Sequence, residues 1–193
     1  MKSIAALGST LGVTCLAATV LLASVNAITA GRIKAQAQAE LQESLKEVMA
    51  DGERFEPVEE GGKTLYYKVL SQDGRTIGTA FKASAKGYSG AIETIVGMNN
   101  DGSINAIKIV SQQETPGLGS RISEIASTLS LWDFLKGKRP LKNIRPWFQE
   151  QFNGKAIHEL DGIQAITGAT ISSRAVIDSV RQKAAQIRAT LKQ

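Results

Sequence analysis

The chain opens with a long stretch of apolar and small residues. Ile4 to Gly31 contains no charged residue, and as one helix it would be roughly 40 Å long, more than a bilayer core requires. Lys2 precedes this stretch and Arg32 follows it. We therefore predict that residues 1–31 form a single membrane-anchor helix that the mature protein keeps. The alternative is a cleaved signal peptide, because Val25-Asn26-Ala27 has the small-x-small form of a cleavage site.

A second apolar pattern follows the anchor, now with polar residues between its members. The spacing is helical and places five side chains on one stripe: Ala37, Leu41, Leu45, Val48 and Met49. Residues 51–62 are acidic and contain Gly and Pro57, which is typical of a solvated connection. We assign residues 32–62 to an amphipathic helix and linker, and residues 63–193 to one folded domain.

Two β-hairpins are predicted in the first half of that domain. Each has two runs of strand-forming residues around a turn rich in Asn, Asp and Gly. The runs and turns are Thr64–Leu70 and Ile77–Phe81 around Asp73-Gly74, and Ile92–Met98 and Ile104–Val110 around Asn99–Gly102.

Helical spacing returns in the second half of the domain. A short helix is predicted from Ile122, Ile125, Ala126 and Leu129, and a long C-terminal helix from Val176, Val180, Ala184, Ile187 and Leu191. Because hairpins come first and helices follow, we predict the α+β class: an N-terminal transmembrane helix, then antiparallel hairpins with flanking helices.

Residues 131–153 show neither period. They carry Trp132, Phe134, Trp147 and Phe148 among several basic side chains. These aromatic residues either cover a ligand or a partner surface, or anchor an irregular segment to the core.

Composition excludes several chemistries. The formal net charge is +5, but the basic residues are dispersed and are not interleaved with aromatic residues, so we expect no nucleic-acid partner. The positive charge fits lipid head groups or an acidic partner better. One cysteine, Cys15, and one histidine, His158, are too few for a zinc site or an Fe–S cluster held by this chain alone, and we predict no metal site.

The most informative segment is Thr167-Gly168-Ala169-Thr170-Ile171-Ser172-Ser173, which lies directly before the long C-terminal helix. Helix N-termini carry unpaired N–H groups and a partial positive charge, so this segment suits a phosphate group. The alternative is ordinary N-capping by Ser and Thr side chains.

A second segment, Glu114-Thr115-Pro116-Gly117-Leu118-Gly119, leaves the second predicted hairpin. Its two glycines let the backbone approach a flat ring closely, Pro116 stiffens the loop and Leu118 offers an apolar face. Glu114 either hydrogen-bonds a ligand or supports the loop. Taken alone, the segment could also be an ordinary Pro-Gly turn.

Together the two segments, with Tyr88-Ser89-Gly90, resemble the FMN-binding domain family over roughly residues 60–190. The family occurs in the G subunit of Rnf complexes and in the C subunit of Na⁺-translocating NADH:quinone reductases. The resemblance implies FMN attached to Thr170 by a phosphoester. It assigns Thr167, Gly168, Ala169, Ile171 and Ser172 to the phosphate end of the site, and Glu114 to Gly119 to the ring. The family pattern has an Asp at the position of Gln164 in this chain.

The resemblance also implies a function. We expect an electron-transfer subunit of a membrane-bound, ion-translocating ferredoxin:NAD⁺ oxidoreductase, because the short chain favours the Rnf G subunit. It would relay electrons through FMN and have no catalytic residue for an organic substrate. Two alternatives remain: a C-type subunit of the quinone reductase, and a membrane-tethered flavin module or sensor without a relay function. A structural subunit with an empty site is a further alternative.

Partners and location follow from the same resemblance. The expected partners are the other membrane and Fe–S subunits of the complex, a flavin transferase that attaches FMN, and membrane lipid. The expected location is the cell (inner) membrane, crossed once, with the flavin domain on the extracytoplasmic side. No Gly-x-Gly-x-x-Gly fingerprint follows a predicted strand, so direct reduction by a nicotinamide is not expected.

Overall fold

A computed structural model describes residues 2–124 and 146–191 of the chain. It divides into two compact units, residues 1–43 and 44–193. Helix α1 (Lys2–Val48) makes up the first unit and contributes its last turn to the second. Within the described residues, α1 is the one helix long and apolar enough to cross a membrane. The boundaries predicted at residues 31 and 62 stay predictions.

The second unit is built on a five-stranded antiparallel sheet in which each strand pairs with its neighbours in sequence. The strands are β1 (Arg54–Glu60), β2 (Lys63–Leu70), β3 (Thr76–Lys86), β4 (Ala91–Asn99) and β5 (Ile104–Gln112). The predicted hairpins are β2–β3 and β4–β5. With the flanking helices, the sheet confirms the α+β prediction.

Strand β1 corrects the interpretation of residues 51–62 as a solvated connection. Arg54–Glu60 pairs with β2 along its length, from Arg54 opposite Leu70 to Glu60 opposite Lys63. It lies at the edge of the sheet, and its side chains are exposed or half-buried. A charged, proline-containing sequence is compatible with an edge strand, because neither face needs an apolar row and one row of N–H groups faces solvent.

The core lies between the sheet and the C-terminal helix, α2 (Thr170–Leu191), which packs on β3 and β4. Four of the five residues that predicted this helix are buried: Val176, Val180, Ala184 and Ile187. They meet large strand side chains such as Phe81, Val96 and Ile107. Leu191, in the last turn, is exposed.

The opposite face of the sheet is covered by the last turn of α1. Leu45, Val48 and Met49 of the predicted stripe are buried there. The Val48 carbonyl accepts a hydrogen bond of 2.7 Å from the Asn105 side chain of β5. Gly97 of β4 makes room for this turn, since a Cβ at that position would lie 2.5 Å from the Val48 carbonyl oxygen.

Shorter elements join β5 to α2. Over residues 113–124 and 146–169 they are a 3₁₀ turn at Gly119–Ile122, a one-turn helix at Trp147–Glu150 and a 3₁₀ turn at Ile157–Gly162. The one-turn helix corrects the irregular interpretation over that part of residues 131–153. Phe148 and Phe152 are buried and meet edge to face, with ring centroids 5.5 Å apart.

Some residues of the aromatic segment and of the predicted short helix are described by the structure, and the others lie outside the described residues. Phe148 is a core residue, whereas Trp147 is 49% exposed. Ile122 is buried in the 3₁₀ turn. The other residues of the predicted short helix, Ile125, Ala126 and Leu129, lie outside the described residues, as do Trp132 and Phe134.

Candidate functional site

The register of the sheet brings two of the sequence segments together. Ile92, the second residue of β4, pairs with Gln112, the last residue of β5. The β3–β4 turn, closed by a 2.8 Å hydrogen bond from the Gly87 N–H to the Gly90 carbonyl, therefore lies beside the segment that follows β5. A hydrogen bond of 3.1 Å joins the hydroxyls of Ser89 and Thr115 across the two segments.

The third segment is the start of α2. Gly168 has φ of +84°, a left-handed conformation that favours glycine, and it turns the chain into the helix. The first hydrogen bond of the helix runs from the Ser173 N–H to the Ala169 carbonyl, at 2.9 Å. The N–H groups of Thr170, Ile171 and Ser172 precede it, so they have no acceptor within the helix.

The four hydroxyl side chains at this helix start differ in environment. Ser173 is buried and accepts a 3.1 Å hydrogen bond from the Ile166 N–H of the preceding segment. Ser172 is buried and donates to Glu114 at 2.6 Å. Thr167 and Thr170 are exposed, and the Thr170 hydroxyl has no hydrogen-bond partner among the described residues. Simple N-capping therefore does not account for Thr170.

The three segments enclose a cleft of about 330 Å³. Nine of the twelve predicted site residues line it, and Tyr88 of the β3–β4 turn completes the lining. The nine are Glu114, Thr115, Leu118, Gly119, Gly168, Ala169, Thr170, Ile171 and Ser172. The sequence analysis includes Tyr88 only within the Tyr88-Ser89-Gly90 element and does not predict it as a site residue; the signal for it is an aromatic residue between two glycines, Gly87 and Gly90.

The other three predicted site residues do not line this cleft. Pro116 and Gly117 are exposed at the tip of their loop, where Gly117 has φ of +76°. Thr167 lines a neighbouring cleft of about 360 Å³ together with Arg121 and Trp147. The Arg121 guanidinium donates to the Thr167 carbonyl at 3.4 Å, on the side of the segment that faces this second cleft.

Glu114 is the buried acid of the site, with 7% of its surface exposed. One carboxylate oxygen accepts hydrogen bonds from the N–H groups of Ser89, at 3.0 Å, and Gly90, at 3.2 Å. The other accepts from the Ser172 hydroxyl. Burial raises the pKa of this carboxyl, but the Ser172 hydroxyl and the backbone N–H groups of the turn outweigh it, so the pKa lies below its usual value.

The lining provides two kinds of surface. Tyr88, Leu118 and Ile171 are 72%, 53% and 57% exposed, so their apolar surfaces are available to a ligand. Near them are the Thr170 hydroxyl and the N–H groups that begin α2. The space beside Gly168 is open, because among the described residues a Cβ there would meet only Leu118, at 3.8 Å. An apolar wall beside an anion-binding helix start suits a flat ring that carries a phosphate.

Comparisons with known proteins agree with this geometry. The FMN-binding domain family matches residues 87–185, and the RnfG N-terminal region matches residues 1–48. The G subunit of the proton-translocating ferredoxin:NAD⁺ oxidoreductase complex from Clostridium ljungdahlii is 32% identical over 189 residues, covering 96% of this chain and 92% of the relative.

A second relative is the G subunit of the ion-translocating oxidoreductase complex from Vibrio atlanticus. It is 34% identical over 187 residues, covering 91% of this chain and 86% of the relative. The crystal structure of Shewanella oneidensis NqrC is similar over 74% of each chain, with a TM-score of 0.42 and 16% identity.

Proposed function

Since the chain belongs to the FMN-binding family of Rnf complex G subunits, we propose that it relays electrons through FMN in a membrane-bound, ion-translocating ferredoxin:NAD⁺ oxidoreductase. Its site binds FMN, and its partners are the other subunits of that complex. The observation that carries the proposal is the cleft, which joins the helix start at Thr170 to the Glu114–Gly119 loop. The match at residues 1–48 to the RnfG N-terminal region favours this family over the quinone-reductase C subunit.

The residues of the cleft would divide the work of holding FMN. The unpaired N–H groups of Thr170, Ile171 and Ser172 would bind the phosphate, helped by the positive end of the α2 dipole. Leu118 and Ile171 would pack against the ring and exclude water from part of it. When bound, FMN supplies the redox chemistry, and the protein supplies orientation and electrostatics.

Covalent attachment at Thr170 is the finer part of the proposal. Thr170 is exposed and lines the cleft, and its hydroxyl has no partner among the described residues, whereas Thr167 lines the neighbouring cleft. We assign Thr170 as the acceptor of the FMN phosphoester, formed by a flavin transferase. A covalent bond suits a relay, because the cofactor cannot dissociate between turnovers.

In-gel fluorescence tests the attachment site. The full-length chain, co-expressed with a flavin transferase, should give a fluorescent band on a denaturing gel. Thr170→Ala should lose the band and Thr167→Ala, the matched control, should keep it. A full signal from Thr170→Ala, or a flavin peptide mapped to Thr167, would contradict the assignment.

Gln164 gives a second test of attachment. It occupies the position of the family's Asp, and its backbone is held by the Gln151 side chain through hydrogen bonds of 2.9 and 3.2 Å. We expect a foreign transferase to modify Gln164→Asp faster than the native chain, because the family's acid is restored while the backbone contacts remain. Equal rates for the two chains would count against a role for this position in recognition.

The location of the chain in the cell includes the side of the membrane on which the flavin domain lies. The apolar helix α1 is a candidate membrane span, and the relatives belong to a membrane complex; we propose one crossing in contact with lipid, retention of the helix, and an extracytoplasmic flavin domain. A membrane-impermeant thiol reagent tests the side. In a Cys15→Ser background, a cysteine at exposed Gly162 should react from the outer face of intact cells. Labelling only after the cells are opened would contradict the orientation.

A relay can also be distinguished from a dehydrogenase. Rapid mixing of the flavin-loaded full-length chain with NADH should give reduction far slower than turnover of the whole complex, because electrons are expected from Fe–S partners. Direct reduction at the rate of turnover would make the chain a dehydrogenase in its own right.

A further inference from the structure

Glu114 is the one ionisable side chain among the described residues that is buried, and it lies in the wall of the cleft. Burying a carboxylate is unfavourable unless hydrogen bonds compensate for lost water. Here each oxygen has partners within the protein, and the partners come from two other segments: the β3–β4 turn and the first turn of α2.

Two glycines are fitted to this carboxylate. A Cβ at Gly119 would lie 2.2 Å from one carboxylate oxygen, and a Cβ at Gly87 would lie 2.4 Å from the other. Neither glycine has a left-handed φ, so backbone conformation does not explain them. A methyl group at either position would displace the carboxylate from its hydrogen bonds, and at Gly87 it would also meet the Ile92 side chain, at 2.7 Å.

We infer that Glu114 is the positioning residue of the site: its carboxylate fastens the β3–β4 turn and the first turn of α2 to the Glu114–Gly119 loop. Tyr88, Leu118 and Ile171 belong to these three segments, one to each. Without the carboxylate, the apolar wall and the helix start lose their common attachment point. The consequence for FMN rests on the proposed function, whereas the attachment of the three segments does not.

The inference has an electrostatic consequence. An ionised carboxylate in the lining would be a fixed negative charge near a flavin bound in the cleft, and in a partly buried site such a charge is weakly screened. It would oppose addition of electrons to the ring and so hold the midpoint potential down. Glu114→Gln, which replaces the carboxylate with a neutral side chain of the same shape, should separate the effect of the charge from the effect of the hydrogen bonds. In Glu114→Gln the amide oxygen can still accept from Ser89 and Gly90, and the Ser172 hydroxyl can turn to accept from the amide.

The first experiment needs no flavin. Hydrogen exchange is measured on the full-length chain in detergent, produced without a flavin transferase, for peptides that cover residues 87–90 and 170–175. Glu114→Ala should speed exchange in both peptides by about tenfold or more, because charge-assisted hydrogen bonds are lost. Glu124→Gln is the matched control, because it removes an exposed carboxylate that accepts one hydroxyl, from Ser120 at 2.9 Å, and it should leave both peptides unchanged.

The second experiment measures the midpoint potential of the flavin-loaded chain. Glu114→Gln should raise the midpoint potential clearly more than Glu124→Gln does. Hydrogen exchange at residues 87–90 and 170–175 should be closer to that of the native chain in Glu114→Gln than in Glu114→Ala. Native exchange rates at both segments in Glu114→Ala would overturn the positioning role, whether or not FMN binds. A potential in Glu114→Gln no higher than in Glu124→Gln would overturn the electrostatic consequence alone.

Discussion

Two helix ends meet the same sheet, and they are built in opposite ways. The last turn of α1 is closed: Leu45 and Val48 are fully buried, and the Val48 carbonyl is bonded to Asn105. The first turn of α2 is open: Thr170 and Ile171 are exposed, and their N–H groups precede the first helical hydrogen bond. Both ends carry unpaired backbone groups by the geometry of a helix, but only the second leaves them available to a ligand.

The difference lies in the residues that face each end. Gly97 lets the α1 turn approach the backbone of β4, so apolar side chains fill the contact. At α2, the facing residue is Glu114, which accepts a hydrogen bond from Ser172, while the Thr170 hydroxyl has no partner in the part of the chain that the structure describes. One end therefore contributes mainly stability, and the other contributes a binding site held in shape by one carboxylate. This contrast predicts which substitutions unfold the domain and which affect only the flavin.

The largest effect on stability is expected at the closed end. Leu45→Ala should lower the free energy of unfolding by about 4 kcal/mol, because a fully buried leucine leaves a cavity when truncated. Ile171→Ala, at the open end, removes a side chain that is 57% exposed, and should change stability by about 0.5 kcal/mol or less while shifting the absorption spectrum of the flavin. Chemical unfolding of the full-length chain in detergent measures both. Equal losses of stability would remove the contrast between the ends.

Gly97→Ala should have the next largest effect and lower the free energy of unfolding by about 3 kcal/mol, because the new methyl group would meet the Val48 carbonyl oxygen, which cannot rotate away. The control is Gly162→Ala, where a Cβ meets nothing within 4 Å and φ is not left-handed. The same unfolding measurement applies to both variants. A cost for Gly97→Ala no larger than that of the control would mean that the α1 turn does not pack closely on β4.

The carboxylate at the open end predicts a pH dependence. The folded-state pKa of Glu114 lies below the ordinary value of 4.5, because the Ser172 hydroxyl and the backbone N–H groups of the turn outweigh burial. Its ionised form therefore stabilises the fold at neutral pH. That contribution is fully present above pH 4.5 and is lost as the pH falls through the lowered pKa. The native chain should therefore exceed Glu114→Gln in stability at pH 7, and the difference should shrink below pH 4.5. A difference that is constant from pH 7 to pH 3 would contradict this linkage.

The sequence predicts much of this molecule because local patterns carry the information. The hairpins follow from β-rich runs around Asn99–Gly102 and Asp73-Gly74, and the buried face of α2 follows from the spacing of Val176 to Ile187. Nine of the twelve residues predicted for the site line one cleft, and they could be named from the sequence because its two motifs are short and contiguous. The two motifs meet in one cleft through the hydrogen bond between Glu114 and Ser172, and the β3–β4 turn joins them through the pairing of Ile92 with Gln112. Spacing along the chain reveals neither contact.

Two features escape prediction for physical reasons. Strand β1 has no apolar alternation, since it is an edge strand that is held by backbone pairing with β2. The bond between Glu114 and Ser172 joins residues 58 positions apart, and each residue has a plausible local role, in a loop and in a helix cap. Long-range polar partners of this kind emerge only from the tertiary arrangement.

The smallest predicted effect compares two buried serines, one at each helix end. Ser44, on α1, is fully buried and its hydroxyl has no hydrogen-bond partner among the described residues. Ser44→Ala should therefore stabilise the domain by about 0.5–1 kcal/mol, because it removes a desolvated hydroxyl and improves helix propensity. Ser172 is equally buried but donates to Glu114, so Ser172→Ala should destabilise by about 1–2 kcal/mol. Chemical unfolding of both variants gives the sign of each change in the free energy of unfolding. If both changes had the same sign, the closed and open ends would not differ in whether they satisfy a buried hydroxyl.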